Sequence, residues 1–164
     1  TELFSFHDQA AAADWSSNHG KLGFPGSSNE SQGYVMFRDG QQLEDGNLYG
    51  KIVETHPAWM NVGFIQGVYT VGEIKPGDRF QALVGFRYGK DVKEGDVKFI
   101  VKGGNGAALG AFSHTRNGQL ISIDLDLTPI AGKTNQIVLR VEANNEGAAK
   151  DWACWMNPRL LGMR

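Results

Sequence analysis

Apolar and polar residues alternate along most of this chain with the two-residue period of a half-buried β-strand. Phe80, Ala82, Val84, Phe86 and Tyr88 share one face of a segment running from Arg79 to Tyr88, and Val97, Phe99 and Val101 do the same between Asp96 and Lys102. Ile121, Ile123, Leu125 and Leu127 alternate with Ser122, Asp124 and Asp126, and Ile137, Leu139 and Val141 repeat the pattern between Gln136 and Ala143. Shorter apolar runs at 34–37, 42–44, 49–55, 63–71 and 108–115 read as further strands. The aromatic segment from Trp152 to Leu161 reads as the strand that closes the core. Turn chemistry punctuates these runs: Asp39-Gly40, Asp45-Gly46, Lys75-Pro76-Gly77-Asp78, Gly103-Gly104-Asn105-Gly106 and Asn117-Gly118. Before Gly33 the pattern is irregular. Leu3 to Phe6 fits a short strand, the four alanines before Asp14 fit about two turns of helix, and 16–31 reads as a long polar loop.

About nine or ten short strands with frequent turns predict an all-β fold, an antiparallel β-sandwich or jelly roll, with at most one short N-terminal helix. One-sided alternation fits antiparallel sheets with a wet outer face. No internal repeat or linker divides the chain, so residues 1–164 are read as one domain.

Composition narrows the function classes. The 22 glycines are spread through the chain, as many tight turns require, and the net charge of −2 argues against a nucleic-acid partner held by bulk positive charge. No apolar run approaches the roughly 20 residues of a spanning helix. The sequence begins at Thr1, compatible with a removed signal peptide and equally with a trimmed chain. The single cysteine, Cys154, excludes an internal disulfide and lies among Trp152, Trp155 and Met156, where a buried inert thiol is expected.

An ordered set of segments resembles a known pattern: Phe24-Pro25-Gly26, Ser31-Gln32-Gly33-Tyr34, Thr55-His56-Pro57-Ala58-Trp59, Gly63-Phe64-Ile65-Gln66-Gly67-Val68-Tyr69, Gly77-Asp78-Arg79-Phe80, Ala131-Gly132-Lys133 and Trp155 to Arg159. Over nearly the whole chain it is similar to an uncharacterised extracellular domain of bacteria. That resemblance implies secretion and a β-sandwich, and no activity. The Asp-Trp-Ala ending is also similar to that of galactose-binding-like jelly rolls and carbohydrate-binding modules.

Candidate chemistry favours binding over catalysis. The histidines His7, His19, His56 and His114 lack zinc-site spacing, and no nucleophile elbow or phosphate loop is present, so no catalytic residue is assigned. His56, at a strand end before Pro57, is expected to make a structural hydrogen bond; His19 and His114 are expected in solvated loops. Sugar recognition needs exposed aromatic faces with polar partners. Trp59, Trp15, Tyr69 and Trp152 border loops or strand ends and are the aromatic candidates, while the strand parity of Trp155 places it inside. Arg79 and Arg87, with Lys98 and Lys102, are expected side by side on a hairpin formed by 79–88 and 96–102, where they could hold an anionic polysaccharide. Calcium is the plausible ion, with Asp8, Asp14 and Asp151 as ligands tying an early loop to the last strand.

The leading expectation is a secreted, non-catalytic binding module for a polysaccharide or other glycan. The alternative is an extracellular filament, sheath or coat subunit that assembles with itself by donating the strand at 1–6 to a neighbour. A polysaccharide-active enzyme ranks third.

Overall fold

A computed structural model of the chain describes residues 1–144 and 148–164. The expected all-β sandwich is present, and among the described residues it holds fourteen strands: β1 (Glu2–Ser5), β2 (Asp14–Ser17), β3 (Gly20–Leu22), β4 (Tyr34–Phe37), β5 (Gln41–Gln42), β6 (Leu48–Tyr49), β7 (Ile52–His56), β8 (Phe64–Thr70), β9 (Arg79–Phe86), β10 (Asp96–Gly103), β11 (Ala108–Thr115), β12 (Ile121–Asp126), β13 (Gln136–Ala143) and β14 (Ala153–Leu161). The excess over the sequence expectation comes from β2, β3, β5 and β6, strands of two to four residues, too short for a period to register. The alanine run yields only a single 3-10 turn, Ala10–Ala12, because Asp14 already enters a strand. The expected loop at 16–31 contains the β2–β3 hairpin.

One sheet runs β12-β9-β14-β7-β4, with β1 alongside the second half of β14; the other runs β11-β10-β13-β8-β2-β3. All pairings are antiparallel. The inward positions read from the alternation are those that are buried: Phe80, Ala82, Val84 and Phe86 from the first sheet meet Val97, Phe99, Val101, Ile137, Leu139 and Val141 from the second. Trp155 lies in this core, edge-on to Phe99 at 5.2 Å, and its indole N–H donates to Thr55 Oγ1 at 3.1 Å. β1 pairs with β14 of its own chain, Phe4 opposite Leu160. Among the described residues no helix is long and apolar enough to cross a membrane.

The β9–β10 segment differs from expectation. The two strands are not a hairpin but belong to opposite sheets, and residues 87–95 cross between them. Alternation fixes which face of a strand is wet, not which sheet it joins. Arg79 and Arg87 are therefore not in one row with Lys98 and Lys102.

A small β5–β6 hairpin lies over the outer face of the first sheet and buries Leu43 against Ile52 and Cys154. This half of the outer face is consequently dry, and the polar groups on it must find partners within the protein. Glu54, on β7, is fully buried and accepts from Arg87 Nε at 2.6 Å, Arg38 Nε at 3.2 Å and the Tyr34 hydroxyl. His114, expected in solvent, forms a buried pair with Glu44 at 2.6 Å, and Glu44 also accepts the Phe86, Asn117 and Gly118 N–H groups.

Candidate functional site

The antiparallel ladder between β7 and β14 opposes Thr55 to Ala153. One residue further out on each strand, His56 and Trp152 stand at the same end of the sheet. From there the β7–β8 crossover carries Trp59, Met60 and Asn61, and the approach to β14 carries Ala148, Ala149 and Lys150. With Ser28 these residues line a cleft of about 550 Å³, within the size range of small-ligand sites.

The crossover that presents Trp59 is tightly tied. Trp59 N–H donates to the Ser31 carbonyl at 2.9 Å, Met60 N–H to Ala58 at 2.8 Å and Gly63 N–H to Met60 at 3.0 Å. Asn18 braces it from the other sheet, donating to the Val62 carbonyl at 3.2 Å and accepting from Phe64 N–H at 2.8 Å. Gly63 is required here, because a Cβ would fall 2.0 Å from the Ala58 carbonyl oxygen. The result is an indole that is 52% exposed on a pinned backbone. Its ordering cost is met during folding rather than during binding.

His56 forms the floor. Its ring stacks on Tyr34 at 5.3 Å and lies 5.9 Å from Trp59. Nδ1 is 2.7 Å from the Pro57 carbonyl oxygen, the structural bond expected from sequence. A carbonyl can only accept, so Nδ1 carries the proton and Nε2 keeps its lone pair. Burial pushes the imidazole pKa down, with opposing contributions from the Pro57 bond and Glu54, so the ring is neutral at neutral pH. Among the described residues Nε2 has no hydrogen-bond partner.

Trp152 is half-buried and forms the opposite wall. The Arg87 guanidinium lies 4.3 Å from its ring centroid, and Arg116 and the Lys150 ammonium each lie 5.5 Å away. Gly89 makes room for the indole, since a Cβ there would meet it at 2.6 Å.

The structure brings together two of the aromatic candidates, Trp59 and Trp152, with Arg87 behind the latter. The other two are corrected. Trp15 is buried, its N–H bonded to the Ala10 carbonyl at 2.8 Å and its ring filling the place left by Gly67, where a Cβ would sit 2.7 Å from it. Tyr69, two residues beyond Gly67 on the same face of β8, is core and packs edge-on to Phe6 at 4.8 Å. Arg79 starts β9 at the far end of the sheet, roughly 25 Å of strand from Arg87, and is paired to Asp124 at 2.7 Å. The proposed calcium ligands do not converge. Asp8 pairs with His7 at 2.8 Å, Asp14 starts β2 opposite Val68, and Asp151 accepts from Asp96 N–H at 2.9 Å. Among the described residues no three His, Cys, Asp or Glu side chains group as metal ligands. His56 was legible as a structural residue but not as an acceptor, and no sequence signal singled out Lys150.

No protein-family model matches the chain, and no curated protein is matched in sequence. Solved structures share its fold. A structure of the CBM51-2 carbohydrate-binding module with INT domains from Clostridium perfringens ZmpB, in complex with GlcNAc, matches 73% of this chain at 21% identity and a TM-score of 0.55; the match spans only 24% of that longer chain. The CBM51 of Clostridium perfringens GH95, in complex with methyl-galactose, matches 74% of this chain and 78% of its own at 19% identity and a TM-score of 0.56. The TmCBM61 module, in complex with β-1,4-galactotriose, matches 99% of both chains at 12% identity and a TM-score of 0.54. At these identities the likeness shows the fold alone, a β-sandwich.

Proposed function

We propose that this chain is a secreted, non-catalytic carbohydrate-binding module that holds a glycan in the cleft between Trp59 and Trp152. The observation that carries the reading is the half-exposed Trp59 indole, fixed by backbone bonds beside a neutral His56 whose Nε2 is available to accept. An indole face covers the C–H side of a sugar ring, and a nearby acceptor and amide read its hydroxyls. His56 Nε2, Asn61 and the Ser28 hydroxyl supply that polar complement around the cleft. Glycoside hydrolysis uses a pair of carboxylates across the scissile bond, whereas the described lining residues carry aromatic, aliphatic, thioether, amide, hydroxyl, imidazole and ammonium groups. The shared fold of solved carbohydrate-binding modules supports the same reading.

The test is affinity electrophoresis and a glycan array with the full chain and the Trp59→Ala variant. Retardation by at least one polysaccharide, lost in the variant while its thermal unfolding is unchanged, is the expected result. Equal retardation of both proteins would show that the sugar sits elsewhere.

A further inference from the structure

Among the described residues the cleft lining carries charge of one sign, although the whole chain is net negative at −2. The one charged residue among the described lining is Lys150. Its backbone has a φ of 56°, and its ammonium is held over the Trp152 ring at 5.5 Å. Behind that ring stand two guanidinium groups. Arg87 is neutralised by Glu54 at 2.6 Å. Arg116 instead donates to three carbonyls, those of Glu94 at 2.7 Å, Arg87 at 2.9 Å and Lys150 at 3.4 Å, so its charge is solvated by dipoles rather than cancelled. The neighbouring carboxylate, Asp151, is buried and lines the adjoining cavity, with Lys93, Glu94, Asp96 and Thr115, which meets the cleft at Ala149.

Resting on the carbohydrate reading above, we infer that the preferred glycan is acidic: a uronic acid residue stacked on Trp59, with its carboxylate meeting the Lys150 ammonium at the Trp152 wall. Trp59 and His56 Nε2 serve any pyranose with a free C–H face and a hydroxyl donor. Lys150 is what separates an acid from its neutral counterpart. A charge-assisted contact at a partly desolvated edge is worth about tenfold in affinity, and it weakens with salt.

The experiment titrates the full-length chain, followed by tryptophan fluorescence and calorimetry, with matched pairs of methyl glycosides: glucuronide against glucoside and galacturonide against galactoside. Within a pair the rings are identical apart from the carboxylate. In at least one pair the acid should bind about tenfold tighter. That preference should fade at high salt, disappear in Lys150→Met and return in Lys150→Arg. Equal binding of acid and neutral sugar, or a preference unchanged in Lys150→Met, overturns the inference. Binding by none of the four glycosides also overturns it. Retention of a neutral polysaccharide that depends on Trp59 would then preserve the carbohydrate reading and remove only the acidic ligand, whereas retention by no glycan at all would remove both.

Discussion

Asp151 offers the sharpest test of the energetics behind the cleft. It is 1% exposed, one oxygen accepts from Asp96 N–H at 2.9 Å, and the other has no partner among the described residues. Burial raises its carboxyl pKa from 3.8 to about 7; the Asp96 carboxylate adds to the rise, while the Asp96 N–H and Arg116 oppose it. The folded state therefore holds a proton that the unfolded chain releases near pH 4. Below that pH both states are protonated and the site costs nothing. Between about 4 and 7 the folded state binds more protons than the unfolded one, so stability falls as pH rises. Above 7 the full cost is present. At about 1.4 kcal/mol per pH unit of difference, it is on the order of 4 kcal/mol. Asp151→Asn keeps the acceptor for Asp96 N–H and removes the charge. In urea unfolding from pH 4 to 8.5, wild type and variant should be equally stable at the acid end, with the variant gaining on the order of 2–4 kcal/mol by pH 8. Groups held below their usual range, such as Glu44 and Asp78, lose their stabilisation at lower pH and are common to both proteins. Stability curves that stay parallel across this range would refute the argument.

Other perturbations read different parts of the fold. Glu54→Gln leaves Arg87 and Arg38 facing an uncharged buried partner, and urea unfolding should show a loss of about 3–5 kcal/mol. Gly67→Ala drives a Cβ to within 2.7 Å of the Trp15 ring; a loss of about 1–3 kcal/mol is expected, with a changed near-ultraviolet dichroism from the displaced indole. Cys154 is fully buried, and burial raises its thiol pKa well above the ordinary value. A disulfide reagent should label it only as fast as the protein unfolds, and rapid labelling under native conditions would contradict the packing.

Strand faces were legible in the sequence because burial enforces a strict two-residue period. The inward parity of Phe80 to Phe86, of Val97 to Val101 and of Trp155 all followed from it. Sheet membership was not legible, because a polar crossover such as 87–95 resembles a hairpin loop until its strands are placed. Trp59 and Trp15 read alike in the sequence, both bordering loops or strand ends; the burial of Trp15 depends on Gly67, 52 residues away in a different strand. Proximity to a loop is a local property, whereas exposure depends on what the rest of the chain packs nearby. The same limit hid Glu54, which lies on the face of β7 opposite the core residue Val53 and is covered by the β5–β6 hairpin.

That covering links stability to recognition. Outward positions on a sheet are ordinarily solvated, and Glu54 would need no partner there. Once the hairpin buries Leu43 on this face, Glu54 must be neutralised, and Arg87 and Arg38 do so. Arg87 then cannot leave, and its guanidinium becomes a fixed platform 4.3 Å from the Trp152 ring. On the other side of Glu54, the Tyr34 hydroxyl is anchored and the Tyr34 ring supports His56 at 5.3 Å. One buried carboxylate thus positions both the wall and the floor of the cleft. If the proposed function holds, a variant that disturbs it should weaken glycan binding before the protein unfolds, which is the behaviour expected of a site whose orientation is set from behind rather than by the residues that touch the ligand.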